Sequence, residues 1–81
     1  MISENDLKAI FGRALRKARK DKDLTQEELA AEANMDRSYV SLLERGINQP
    51  SFIIIYKICD GLDLDLNELM VYVDKELSTA R

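Results

Sequence analysis

The stretch that most constrains this chain is Leu24 to Ser51, LTQEELAAEANMDRSYVSLLERGINQPS. It holds start and stop signals for two short helices and leaves almost no residues between them. Thr25 suits an N-cap, and Glu28 stands three residues on, where a capping-box partner belongs. Leu29, Ala30 and Ala33 give the first helix one small apolar face. Asn34-Met35-Asp36 breaks it after barely two turns. Asp36 suits the N-cap of a second helix running to Glu44 or Arg45. Gly46 follows where a left-handed residue is wanted.

The rest of the chain reads as three more helices. A first helix from Glu4 or Asp6 to Asp21 carries Leu7, Ile10 or Phe11, Leu15 and Ala18 at helical spacing. A fourth runs from Ser51 to about Asp60, with Pro50 stiffening its entry and Gly61 closing it. A fifth follows an Asp65 N-cap and its Glu68 partner, from Leu66 to about Leu77, leaving Ser78–Arg81 frayed. Glycine and proline are scarce and no segment alternates as a strand does, so the expected class is all-α: a compact five-helix domain. At 81 residues the whole of 1–81 is expected to be one domain, with its core in 4–77. The expected interior is Phe11, Leu15, Ala18, Leu24, Leu29, Ala30, Val40, Leu43, Phe52, Ile55, Ile58, Cys59, Leu62, Leu66 and Leu69.

Composition excludes several functions. There is one cysteine and no histidine. That rules out a disulfide framework or a His/Cys metal site within one chain, and Cys59 reads as a buried thiol. No signal peptide or membrane span is visible, so a cytoplasmic protein without membrane contact is expected. No small-molecule ligand, cofactor or metal is implied. Without histidine or a glycine-rich phosphate loop, an enzyme is the weakest reading. The carboxylates Asp60, Asp63, Asp65 and Glu68 sit near helix ends, where capping explains them better than catalysis.

The net charge of -3 argues against a nucleic-acid partner, but distribution matters more than the sum. Residues 13–22 hold six cations (Arg13, Arg16, Lys17, Arg19, Lys20, Lys22) against Asp21 alone. Beyond Gly46 six acids face three bases. One end of the molecule is basic and the other acidic. Two short helices joined by a tight turn beside a basic stretch form the layout of a DNA-reading helix-turn-helix, over about residues 25–45. On the second of them, Arg37, Ser38, Ser41, Leu42 and Arg45 span an arc of roughly 140°. Arg37 is placed to grip guanine O6 and N7, Ser38 and Ser41 to reach bases or phosphates, and Leu42 to pack on a thymine methyl. Tyr39 lies on the flank of this arc and is counted with the backbone contacts.

The motif closely resembles the phage-repressor (Cro/cI, or XRE) family. Its patterns L-[ST]-Q-E-E-L-A and S-x-[IV]-S-x-[IL]-E-R-G appear as Leu24–Ala30 and Ser38–Gly46. The resemblance covers roughly Phe11–Leu69 and implies the same five-helix domain. It implies base-edge contacts for Arg37, Ser38 and Leu42, a phosphate contact for Gln26, and backbone contacts for Arg45, Asn48 and Gln49. It also implies an ion pair of Arg19 with Glu44, locking the first helix to the third. The run Asp36–Ser41 looks like the D-R-[ST]-Y-[IV]-S of controller proteins of restriction–modification operons.

A small reader of this kind buries too little surface for strong specific binding, and two copies on half-sites one turn apart solve that problem. Residues 51–77 supply the surplus apolar surface. FIIIY cannot hide on one helical face. With Phe52 and Ile55 turned inward, Ile53, Ile54 and Tyr56 are left over, and Met70, Val71, Tyr72 and Val73 add more. A homodimer through Ile53, Ile54, Tyr56 and Tyr72 is therefore expected, on a palindromic double-stranded DNA operator. The competing class is an antitoxin or adaptor, a protein-interaction module on the same fold.

Overall fold

In the computed structural model, which describes residues 1–80, the chain forms five helices and no strand among those residues. They are α1 (Glu4–Asp21), α2 (Gln26–Glu32), α3 (Arg37–Glu44), α4 (Phe52–Leu62) and α5 (Leu66–Ala80). Four of the starts are side-chain caps. Ser3 with Asp6, Thr25 with Glu28, and Asp65 with Glu68 form reciprocal capping boxes, and the Ser51 hydroxyl accepts from the Ile54 amide. Each satisfies first-turn amides that a helix otherwise leaves bare. Asp36 occupies the N-cap position of α3, but its side chain makes no cap bond.

The stops of α1 to α4 share one device. A left-handed residue follows each helix: Asp23, Asn34, Gly46 and Asp63, with φ between 54° and 73°. The amide of the next residue then reaches back across the turn, Leu24 to the Arg19 carbonyl, Met35 to Ala30, Ile47 to Leu42 and Leu64 to Cys59. This is the Schellman arrangement, with an apolar residue after the left-handed one. It leaves only four residues between the end of α2 and the start of α3. The sequence expectation placed Gly61 at the end of α4. Gly61 is instead inside the helix, where its missing Cβ lets α4 approach Ala33; a Cβ there would meet the Ala33 nitrogen at 3.0 Å. Ser78–Ala80 are helical rather than frayed, and Arg81 lies outside the described residues.

One core joins all five helices. Leu15, Ala18, Leu29, Val40, Leu43, Ile58, Leu62 and Leu69 are almost wholly buried, with Phe11, Ala30, Ala33 and Cys59 close behind. α1 lies along α5 and crosses α3, while α2 touches both α3 and α4. Four expected core residues differ. Leu24 and Ile55 are only half-buried, Leu66 is 45% exposed, and Phe52 is 73% exposed. Phe52 is the first residue of α4 and stands beyond the last layer that packs on that helix. The phase of α4 shifts accordingly: Ile54 and Ile55 rest on the core, and Phe52, Ile53 and Tyr56 face outward.

Candidate nucleic-acid interface

The interface begins with how closely α1 and α3 approach. Gly12 faces the end of α3, where a Cβ would lie 2.5 Å from the Glu44 carbonyl oxygen and 2.6 Å from that of Leu43. Arg19 lies two turns further along the same face of α1, so it arrives at the Glu44 side chain. Its Nε donates to Glu44 Oε2 at 2.6 Å and its Nη2 to Oε1 at 3.0 Å. Its Nη1 donates to the Leu24 carbonyl at 2.8 Å. Both side chains are buried, 10% and 4% exposed. The fork-to-fork geometry and the extra carbonyl satisfy the charges that burial would otherwise penalise, and the Glu44 carboxylate raises the guanidinium's pKa further. This pair fixes the angle between α1 and α3.

α3 has one packed side and one free side. Val40 and Leu43 are fully buried, and Tyr39 packs half-buried against the core. Arg37, Ser38 and Arg45 are exposed, and Ser41 and Leu42 are half-buried between them. The absent Asp36 side-chain cap leaves the first turn of α3 without a local carboxylate acceptor, at the end where Arg37 stands. Beyond the helix, Gln49 is exposed and Asn48 half-buried, its amide 3.4 Å from the Leu42 carbonyl.

Gln26, which the resemblance assigns to a phosphate, is half-buried at the start of α2. Its Nε2 donates to Glu44 Oε1 at 3.0 Å, so the carboxamide is anchored inside the protein. Together with Arg19, Thr25, Glu27 and Arg37 it lines a shallow recess between the starts of α2 and α3. Among the residues expected at a dimer interface, Ile53 and Tyr56 are each 69% exposed, whereas Ile54 is half-buried on the core. Tyr72 is also half-buried, and its hydroxyl donates to Asp21 at 2.7 Å, tying α5 to α1; that carboxylate raises the phenol's pKa. The exposed residues of α4 border a groove of about 330 Å³ lined by Phe52, Ile55, Tyr56, Cys59, Leu64 and Leu66.

One cluster had no counterpart in the sequence reading. Glu76, buried on α5, faces Arg13 Nε at 3.3 Å and Lys17 Nζ at 2.9 Å. The signal was the apolar stripe of α5 itself: position 76 falls one turn after Tyr72 and two after Leu69, on the face that must meet α1. Half of the six cations in residues 13–22 are therefore paired within the protein: Arg19, buried, with Glu44, and Arg13 and Lys17, whose side chains stay 53% and 67% exposed, with the buried Glu76.

An α-helical domain that holds a short polar helix outward on a rigid pair of supports is a DNA-binding module of the helix-turn-helix class. The match to known proteins is specific: residues 15–69 fit the helix-turn-helix family, and the chain belongs to it. It is 44% identical over 73 residues to control protein C.MunI of a Mycoplasma species, covering 89% of this chain and 99% of that one. Among solved structures, the wild-type restriction–modification controller protein C.Esp1396I superposes with a TM-score of 0.83 at 30% identity, over 88% of this chain and 93% of that one. The controller protein C.AhdI from Aeromonas hydrophila gives 0.73 at 42% identity, over 76% and 94%. The chain is a DNA-binding regulator. Among the described residues no helix is long and apolar enough to cross a membrane.

Proposed function

We propose that this protein, acting in the cytoplasm as one domain across residues 1–81, is a homodimeric controller of its own restriction–modification operon. Each copy lays α3 in the major groove of one half of a palindromic operator. The observation that carries this reading is the free arc of α3, with Arg37, Ser38, Ser41 and Leu42 on a helix whose other side is locked by Val40, Leu43 and the Arg19–Glu44 pair. Arg37 reads a guanine, and the serines and Leu42 reach neighbouring base edges. Arg45, Asn48, Gln49 and the Tyr39 hydroxyl follow the phosphate backbone.

The second copy docks on the outer face of α4. Phe52 and Tyr56 stand 73% and 69% exposed there, and an aromatic side chain buries about 150–250 Å², against about 800 Å² per partner in a standard interface. Ile53 and Leu66 extend the same surface. The control role is supported by the relatives, which are named as control proteins.

The test is binding to the DNA directly upstream of the gene. We expect protection of an inverted repeat, two protomers per repeat, and affinity that falls steeply as salt rises because phosphate contacts release counterions. Arg37→Ala should cost about 1–3 kcal/mol on that site and relax preference at one base pair per half-site. An equal loss on unrelated DNA would make Arg37 a phosphate contact and end the base-reading assignment.

A further inference from the structure

Asp36 stands where a helix cap belongs and does not cap. The Tyr39 amide, three residues on, is the donor a capping side chain takes; here it goes to the Asp36 carbonyl at 3.0 Å. Asp65, the same residue type at the start of α5, behaves the other way, and its carboxylate accepts from the Glu68 amide at 2.7 Å. Asp36 is exposed, and among the described residues it enters no ion pair. Its carboxylate is therefore spare, one peptide away from Arg37. In the free protein water solvates that charge. Against DNA the same charge stands among phosphates and loses water on docking, so it weakens binding unless it meets a donor. The major groove offers only two, the exocyclic amines of cytosine and adenine. Guanine and thymine present acceptors, which repel a carboxylate. Adenine sets its N6 amine beside the N7 acceptor, which repels the second carboxylate oxygen. Cytosine presents its N4 amine alone on its edge.

We propose that Asp36 is a specificity-determining residue for the operator: its carboxylate accepts from the N4 amine of a cytosine in a base pair next to the guanine read by Arg37. The inference rests on the reading of α3 as the recognition helix. Two neighbouring side chains then make opposite demands. Arg37 is a cation that seeks two acceptors, and Asp36 is an anion that seeks one donor. A single helix end thereby reads two adjacent base pairs. The order of preference at the second pair is cytosine, then adenine, then guanine and thymine. Much of this selectivity is repulsive, since a wrong base leaves the carboxylate desolvated against an acceptor.

The experiment measures binding to duplexes of the upstream inverted repeat in which each base pair flanking the Arg37-read guanine is changed in turn to the other three. At one flank the parent protein should prefer cytosine over guanine or thymine by about tenfold, the worth of one charge-assisted hydrogen bond. Asp36→Ala should flatten that preference and leave discrimination at the Arg37-read pair intact. Asp36→Asn should move the preference to adenine, because a carboxamide matches the N6 donor and the N7 acceptor together. A smaller folded fraction scales all affinities alike, so these ratios survive any loss of stability in the variants. A parent indifferent to both flanking pairs, or an Asp36→Ala protein that keeps the cytosine preference, would overturn the proposal. So would a loss confined to the Arg37-read pair, which would make Asp36 a partner that orients Arg37. If Arg37→Ala leaves discrimination at its own pair intact, the reading of α3 falls and this contact with it; if Arg37→Ala relaxes its pair and Asp36→Ala changes nothing, only the Asp36 contact fails.

Discussion

Gly12→Ala should destabilise this protein, although helix propensity alone says the opposite. Alanine in a helix interior is favoured over glycine by about 1 kcal/mol, and Gly12 lies in the middle of α1. The new methyl, however, would stand 2.5 Å from the Glu44 carbonyl oxygen, and ordinary contact begins at 3.4 Å. Both obstructing atoms are α3 backbone and cannot rotate away. α1 must withdraw by the difference, about 0.9 Å. The Arg19 Nε to Glu44 Oε2 bond, now 2.6 Å, would then lengthen to about 3.5 Å, beyond hydrogen-bond range. Overpacking costs about 1–3 kcal/mol, and weakening a buried, charged hydrogen bond adds about 1.5–3 kcal/mol. Against the propensity gain of about 1 kcal/mol the net loss is about 1.5–5 kcal/mol, which for a chain of this size lowers the melting temperature by roughly 6–40 °C. Urea and thermal unfolding followed at 222 nm measure it. A variant as stable as the parent would mean that α1 and α3 do not approach this closely, and the account of the Arg19–Glu44 lock would fall with it.

Other outcomes follow from the same geometry. Ile53→Lys should make the protein monomeric in sedimentation while leaving its helicity intact, since Ile53 is 69% exposed; a dimer that survives the change puts the interface elsewhere. Asp63→Gly should raise stability by about 0.5–1 kcal/mol by relieving a left-handed aspartate, read as a higher urea midpoint; no change would mean that the aspartate bears no strain. The Glu76 carboxyl is held below its ordinary value near 4.5 by Lys17 and Arg13. Its contribution is thus fully present above pH 4.5 and is lost as pH falls through the lower folded value. Glu76→Gln should therefore flatten the acid limb of the stability curve, and an unchanged limb would show that the carboxylate gains nothing from its partners.

The helix starts were legible because capping is local chemistry: Thr25 with Glu28 and Asp65 with Glu68 need only a spacing of three, and both form boxes. The stops were half legible. Gly46 announced itself, while Asp23, Asn34 and Asp63 do the same work with side chains that merely tolerate the left-handed region. Their signal was present in the residue that follows, since Asp23-Leu24, Asn34-Met35, Gly46-Ile47 and Asp63-Leu64 all pair a left-handed position with an apolar one. The phase of α4 was not legible. FIIIYKIC is apolar at so many positions that periodicity cannot choose a face, and the choice is made by Gly61, whose bare Cα lets α4 close on Ala33. Once that contact is fixed, Ile54 turns to the core and Phe52 is carried past its edge.

Charge is where sequence and structure diverge in meaning. Six cations in ten residues read as a surface aimed at phosphates. Three of them instead hold the helices together: Arg19 sets α3 against α1, and Arg13 and Lys17 receive the buried Glu76 of α5. Arg13, Arg16, Lys17, Lys20 and Lys22 are all exposed on that stretch, with Arg37 and Arg45 on α3. An acidic protein binding DNA needs few phosphate contacts if those it makes are well oriented, because charge-assisted bonds held in fixed geometry lose less entropy on binding. The three paired cations hold the helices that set that orientation. Of this stretch only Arg19 is withdrawn from solvent, so the same surface that carries five exposed cations also fixes α1, through Arg19 against α3 and through Arg13 and Lys17 against α5.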